Sequence, residues 1–227
     1  MIASLAIGGV AAAVVHGLYY PNSYLFGVPI TKLDGPGKVV GLTFDDGPNP
    51  DATPRVLDAL KARGVKATFF ILGRHADEWP DLVRRVADEG HTIGNHGWHH
   101  RKLHVRGPSY VRRDLTMGTD SIERASGVRP TLFRAPHGFR NPWVSSIAAS
   151  LGQRTVGWSR GVWDSKKPGV ETIVRRTVDG ARPGRIMLLH DGDGYDMHGD
   201  RSQTAAAMPR ILDELLERGY SFATIPA

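Results

Sequence analysis

From Lys38 onward, short apolar runs rich in β-branched residues alternate with longer segments whose apolar positions recur every three or four residues. The runs VVGLTF, ATFFI, HTIGN, TLFRA, RTVGW, IMLLH and SFATI read as strands. Between them lie ATPRVLDALKARG, WPDLVRRVADEG, SYVRRDLTMGTDSIERASG, NPWVSSIAASLG, VETIVRRTVDG and QTAAAMPRILDELLERG, each with helical periodicity and each ending at a glycine stop. Strand and helix in strict alternation predict a parallel sheet covered by helices. Seven strands and six helices in about 190 residues predict an α/β fold, a distorted, nearly closed (β/α)7-type barrel smaller than the eightfold barrel of about 250 residues. An open doubly wound sheet is the other arrangement of the same elements.

The pattern changes once, near the start. Charged residues are absent before Lys32, so residues 1–31 are read as an apolar N-terminal segment with a linker, and residues 32–227 as one domain. As a helix, Ile2 to Tyr20 would span roughly 28 Å, close to the hydrocarbon thickness of a bilayer, and this segment is expected to act as a membrane anchor or export signal. It lacks the leading basic residues and the small-residue cleavage site of a secretory signal, so a terminal element packed on the domain is the competing expectation.

The 227 residues carry a formal charge of +6, which favours an anionic partner such as an acidic cell-wall polymer. The basic residues are scattered, as in Arg84-Arg85 and Lys166-Lys167, with no reading module, which argues against a nucleic-acid partner. Cysteine is absent, which excludes disulfides and thiolate metal sites.

In a β/α barrel the site forms at the carboxyl ends of the strands. Residues immediately after five of the apolar runs are chemically rich: Asp45 and Asp46 after VVGLTF, His96 and His100 after HTIGN, Arg134 after TLF, Asp164 in the loop after TVGW, and His190 after IMLL. His96 and His100 stand four apart, a spacing that on one helical turn puts both imidazoles on the same side, with His99 as a competing ligand. Two imidazoles and the Asp46 carboxylate would leave a fourth position for water, the arrangement of catalytic zinc. Cobalt, manganese or iron would accept the same donors. Adjacent ionised carboxylates repel, so Asp46 on the metal and Asp45 as a free base for that water make a consistent pair. His190 is expected to protonate a leaving group, with Asp164 orienting it and Arg134 holding Asp45.

These residues resemble the polysaccharide deacetylases, the family-four carbohydrate esterases. Thr43 to Pro48 reads Thr-Phe-Asp-Asp-Gly-Pro, the family's first motif in full, and Asn95 to His100, Arg134 to Gly138, Trp158 to Asp164 and Leu188 to Asp191 follow in family order. The resemblance implies one divalent metal on Asp46, His96 and His100, most simply zinc, with Asp45 as base, Arg134 as its support, His190 as acid and Asp164 as its partner. It also implies that the backbone N–H of His137 steadies negative charge in the transition state, and that Leu188 walls a pocket for the acetyl methyl. The implied activity is removal of N-acetyl groups from an amino-sugar polymer or oligomer, peptidoglycan or chitin-like, by an enzyme of the cell envelope. Three departures stand out: Gly97 replaces Ser or Thr, His137 replaces Tyr, and Ser165 replaces Trp, so that Trp163, Trp158 or another aromatic must wall the acetate pocket.

Two rival readings belong to other classes. Gly157 to Gly161 matches a G-x-S-x-G elbow around Ser159, with Asp191 and His198 following in the order a serine esterase requires. A carbohydrate-binding protein on the same barrel without turnover is the non-enzyme alternative. Asp191-Gly-Asp-Gly hints at a calcium loop but lacks the remaining ligand positions and reads as a polar rim.

Overall fold

A computed structural model describes residues 2–226, with side chains from residue 9. After an N-terminal helix α1 (Ile2–Tyr19), the chain runs β1 (Val39–Asp45), α2 (Ala52–Lys61), β2 (Thr68–Ile71), α3 (Gly73–Glu78), α4 (Pro80–Asp88), β3 (Thr92–Asn95), α5 (Pro108–Ser126), β4 (Leu132–Phe133), α6 (Pro142–Ser150) and β5 (Arg154–Thr155). It continues through β6 (Arg160–Gly161), α7 (Val170–Val178), β7 (Ile186–His190), α8 (Ser202–Glu217) and β8 (Ser221–Phe222).

The sheet order is β5-β4-β3-β2-β1-β7-β6, with β8 added to the start of β1, and every named strand pair is parallel. The expected strand RTVGW is cut short, and a second short strand follows it. Only Arg154–Thr155 of that run is strand, pairing with β4, and the piece that pairs with β7 is Arg160–Gly161 just beyond it, so one kinked segment of chain, residues 154–161, joins the two edges of the curled sheet. Gly157 N–H bonds to Ile30 and Ser159 N–H to Ile186 across that kink. The outcome is the distorted, nearly closed barrel that the alternation predicts, and the open doubly wound alternative does not form.

Strand periodicity separates two layers. On β1, Val40, Leu42 and Phe44 enter the large core beneath the helices, where Phe44 stacks on Phe69 of β2 with centroids 5.0 Å apart. Thr43 and Asp45 therefore face the concave side. A smaller apolar plug of Phe70, Leu132, Val156, Ile186 and Ile225 fills that side, with Ile30, Leu33 and Trp158 packed against it. Helix ends follow their local chemistry: α5 starts at Pro108 and stops at left-handed Gly127, and the Asn141 side chain caps α6 by accepting from Val144 N–H at 3.0 Å.

Residues 16–32 are not a detached linker. Ile30 bridges to Val156, Lys32 bridges to Arg185, and the buried Arg140 donates to the carbonyls of Pro21 and Ser23. Upstream of that contact, Val10, Val14 and Val15 of α1 are exposed. Among the residues whose side chains are described, no helix is long and apolar enough to cross a membrane.

Candidate active site and metal centre

Asp45 ends β1 and His190 ends β7, and the two are register partners in adjacent parallel strands. Both belong to the concave side, so simple strand alternation sets a carboxylate and an imidazole next to each other. Asp46 follows in a left-handed conformation, φ 70°, which turns it away from strand geometry.

The described residues hold one cluster suited to a metal: Asp46, His96 and His100, all buried, with ligand atoms within 4.8 Å of one another. Asp46 Oδ1 lies 3.3 Å from His96 Nε2 and 3.1 Å from His100 Nε2, and it has no hydrogen-bond donor of its own. Burial alone would raise the Asp46 pKa, but the imidazoles of His100 and His96 hold it well below the usual carboxylate range. His96 Nδ1 lies 2.8 Å from the carbonyl of Arg134 and donates to it, which leaves Nε2 as the ring atom facing Asp46 and available to a cation. An orphaned buried carboxylate oxygen facing two imidazoles suits a divalent cation of borderline softness.

The geometry that brings the two histidines together differs from the sequence expectation. His96 to His100 is a loop rather than a helical turn, and both Gly97 (φ 79°) and His100 (φ 57°) are left-handed. His99 is not a ligand: its Nδ1 is 2.6 Å from Asp114 Oδ1 on α5, directed away from the cluster. The same Asp114 accepts from the N–H groups of Trp98 and His99, and Asn95 Oδ1 accepts from Gly97 N–H at 2.8 Å. These bonds steady the loop that carries Gly97 in place of a hydroxyl residue. A Cβ at Gly97 would sit 2.7 Å from Asp114 Oδ2, so glycine and this Asp114 position belong together.

Beside the cluster, Arg134 is fully buried. One of its nitrogens donates to Asp45 Oδ1 at 2.7 Å and to Thr43 Oγ1 at 2.8 Å, the other to the Gly157 carbonyl at 2.8 Å, and its plane lies 4.1 Å from the Phe70 ring centroid. Asp45 is thus fixed from behind and keeps its Oδ2 3.8 Å from His96 Nε2. On the opposite side, His190 Nδ1 is 2.9 Å from Asp164 Oδ1, while Asp164 Oδ2 accepts from His190 N–H and from Thr204 Oγ1, both at 2.8 Å. Burial disfavours a charged His190, yet the ionised Asp164 beside it, with Asp46 and Asp45 nearby, pushes its pKa up to about 9. Asp164 itself, despite burial, is held low by His190 and the Thr204 hydroxyl.

Around these groups opens a cleft of about 650 Å³, lined by all the expected ligands together with His137, Leu188, His190, Trp158, Trp163 and Ser165. His137 is left-handed and burial beside His100 and His96 lowers its pKa to about 4, so its ring is neutral. Its Nε2 lies 3.0 Å from the phenol oxygen of Tyr195, a residue of the β7–α8 loop for which the sequence offers no periodic signal. That loop presses on the Asp46–His96–His100 cluster: a Cβ at Gly194 would stand 2.0 Å from His100 Nδ1. Trp163 is 65% exposed at the rim, whereas Trp158 is half-buried and within 5.7 Å of Arg134, so both indoles reach the cleft at different depths.

The rival constellation does not assemble. Ser159 Oγ accepts from the N–H of Ile186, His198 lies edge-on to Trp79, Asp191 accepts from the Thr53 hydroxyl, and the chain after Ser159 enters β6 rather than a helix. Asp193 accepts from two backbone N–H groups of its own turn and pairs with Arg201, which makes the Asp191-Gly-Asp-Gly stretch a closed rim loop.

The polysaccharide deacetylase family matches residues 32–156, more than half of the chain. The chain belongs to the polysaccharide deacetylase family. Among its relatives, a peptidoglycan-N-acetylglucosamine deacetylase of Bacillus cereus is 42% identical over 193 residues, covering 83% of this chain and 86% of that protein. A chitooligosaccharide deacetylase of Rhizobium leguminosarum bv. trifolii is 38% identical, with 90% and 98% covered. A family 4 carbohydrate esterase from Streptomyces lividans, solved in complex with acetate, superposes with a TM-score of 0.76 at 31% identity over 85% of this chain and 95% of that one. For this deacetylase-family chain, then, the expected motif order, barrel and clustered residues coincide, although the matched region stops before Trp158, Asp164 and His190.

Proposed function

We propose that this protein is a metal-dependent N-deacetylase acting on an N-acetylglucosamine polymer or oligomer, of peptidoglycan or chitin type, in the cell envelope. The observation that carries the reading is the convergence of Asp46, His96 and His100 within 4.8 Å, flanked on one side by Arg134-anchored Asp45 and on the other by Asp164-anchored His190. Asp46, His96 and His100 would hold the cation, with zinc favoured by the donor set and cobalt, manganese or iron also suited to it. When bound, the cation supplies Lewis acidity toward the acetyl carbonyl and a more acidic water.

The chain's own residues then divide the proton traffic. Asp45, kept in one orientation by Arg134 and Thr43, removes a proton from the attacking water. His190, protonated through neutral pH by its carboxylate partner, delivers a proton to the departing amine, without which the carbon–nitrogen bond would have to expel a poor leaving group. The His137 backbone N–H is proposed to stabilise the oxygen that gains charge. Leu188 and the indoles of Trp158 and Trp163 form the apolar wall for the acetyl methyl.

Location at the envelope is supported by the cell-wall substrate named for the Bacillus cereus relative and by the uncharged α1 with its exposed valines, which we propose as an anchoring or export segment preceding a catalytic domain at residues 32–227. The deciding experiment is acetate release from chitin oligomers and from peptidoglycan with metal stripped and restored, comparing wild type with Asp45→Asn. Loss of turnover on stripping, recovery on restoration and a fall of about 10²–10⁴ in kcat for the variant are expected. Full activity in Asp45→Asn would remove Asp45 as the base, and activity indifferent to chelation would remove the metal reading.

A further inference from the structure

The cleft does not end at the metal cluster, and part of its wall comes from outside the region that matches the family. Tyr19 and Pro21 line it, although the matched region begins at residue 32. From the cluster outward, aromatic rings follow one another along one side. Tyr195 and His137 meet through their polar atoms, His137 lies 5.7 Å from Phe139, and Phe139 lies 5.2 Å from Tyr19 at a steep edge-on angle. His104 supports the outer end from below, 5.1 Å from Tyr19 and 4.9 Å from Phe139. Tyr19 is 50% exposed there.

The segment that carries Tyr19 is fixed by unusual means. Arg140 is 1% exposed and, among the described residues, has no carboxylate partner; it donates instead to the carbonyls of Pro21 at 3.1 Å and Ser23 at 2.6 Å, and its own N–H donates to the Leu18 carbonyl at 3.2 Å. Asn22 Nδ2 donates to the Trp158 carbonyl at 2.7 Å, which ties the same segment to the other wall of the cleft. Burying an arginine without a counter-ion is costly, and here its donors are spent on holding residues 18–23 in register with the catalytic mouth.

A pyranose ring has an apolar C–H face that an aromatic side chain can cover, while a phenol hydroxyl stays available to sugar hydroxyls. We propose that Tyr19, held by Arg140 at the far end of this aromatic ridge, is a sugar-binding platform for a residue of the oligosaccharide beyond the one being deacetylated. The N-terminal segment thereby sets a preference for longer chains. This inference rests on the deacetylase reading for its substrate class.

The test uses the full chain with metal bound and N-acetylglucosamine oligomers of two to five units. Wild type should show kcat/KM rising with length. Tyr19→Ala should lower the ratio of kcat/KM for the pentamer to that for the dimer about tenfold, chiefly through KM, as expected for losing one buried aromatic face. Tyr19→Phe should keep the ratio, and Arg140→Lys should lower it in step with release of the segment. An unchanged ratio in Tyr19→Ala would overturn the proposal, and so would an equal loss at every length. To separate this from failure of the deacetylase reading, calorimetric binding of the same oligomers is measured on Asp45→Asn with and without Tyr19→Ala. Length-dependent weakening there, with no acetate released by wild type, would keep the platform and sink the reaction; equal binding of all lengths in both proteins would sink the platform.

Discussion

At the scale of single residues, the proposed chemistry depends on two carboxylates with opposite duties and one imidazole kept charged. His190 must be protonated to donate, and its pKa near 9 means that it is so throughout the neutral range, losing the proton only as pH rises through that value. Replacing Asp164 by Asn removes the main influence that raises it and leaves burial, which acts downward, opposed only by the smaller effects of Asp46 and Asp45. The alkaline limb of kcat/KM should therefore move to lower pH by about 1–3 units, and an unmoved limb would exclude the Asp164–His190 coupling. Thr204→Val, which deletes one of the three hydrogen bonds to Asp164, should shift the limb in the same direction by less. His99 offers the contrast: His99→Ala should leave metal stoichiometry at one per chain, whereas His100→Ala should lower metal affinity by at least about tenfold in a competition titration. The sequence made most of these residues legible because strand ends are where such sites gather. Thr204, Asp114 and Tyr195 stayed hidden, since a polar residue on a helix face or in a loop looks the same whether it meets water or a buried carboxylate.

At the scale of elements, the strands carried their own signal and the connections did not. Apolar runs fixed β1, β2, β3 and β7, but TLFRA contracts to Leu132–Phe133 and RTVGW to Arg154–Thr155, with Arg160–Gly161 picking up the other sheet edge, because closing the barrel requires one segment to change partners. Helix α3 went unread: six residues beginning with Gly73 contain too few apolar positions for a period to appear. The loop from His96 to His100 shows how the expected pair of imidazoles can meet through a local geometry other than the expected one, as spacing of four suits both a helical turn and a tight left-handed bend. The β7–α8 loop is the element most exposed to test. Gly194→Ala would drive a methyl into His100, so metal affinity should fall about as far as in a ligand-shell variant while the fold, judged by circular dichroism, persists. Arg140→Ala should lower unfolding free energy by about 2–4 kcal/mol in denaturant titration, since it strands the carbonyls that the guanidinium now satisfies.

At the scale of the whole molecule, site and stability are linked. A cation that binds the folded Asp46–His96–His100 cluster and not the unfolded chain should add about 2.7 kcal/mol at a free concentration a hundredfold above its Kd, so chelation should lower the melting temperature in a concentration-dependent way. The charge of +6 should make hydrolysis of an anionic polymer fall with rising salt while hydrolysis of neutral oligomers changes little. Backbone strain links the scales in another way. Among the described residues, five that are not glycine adopt left-handed φ, and Asp46, His100, His137 and Trp163 all line the cleft. Each such conformation costs of order 1–3 kcal/mol. A laboratory search rewarding heat tolerance alone would therefore accept glycine or asparagine at these positions and drift toward a sturdier, inert barrel, so such a search on this scaffold has to score turnover and survival together.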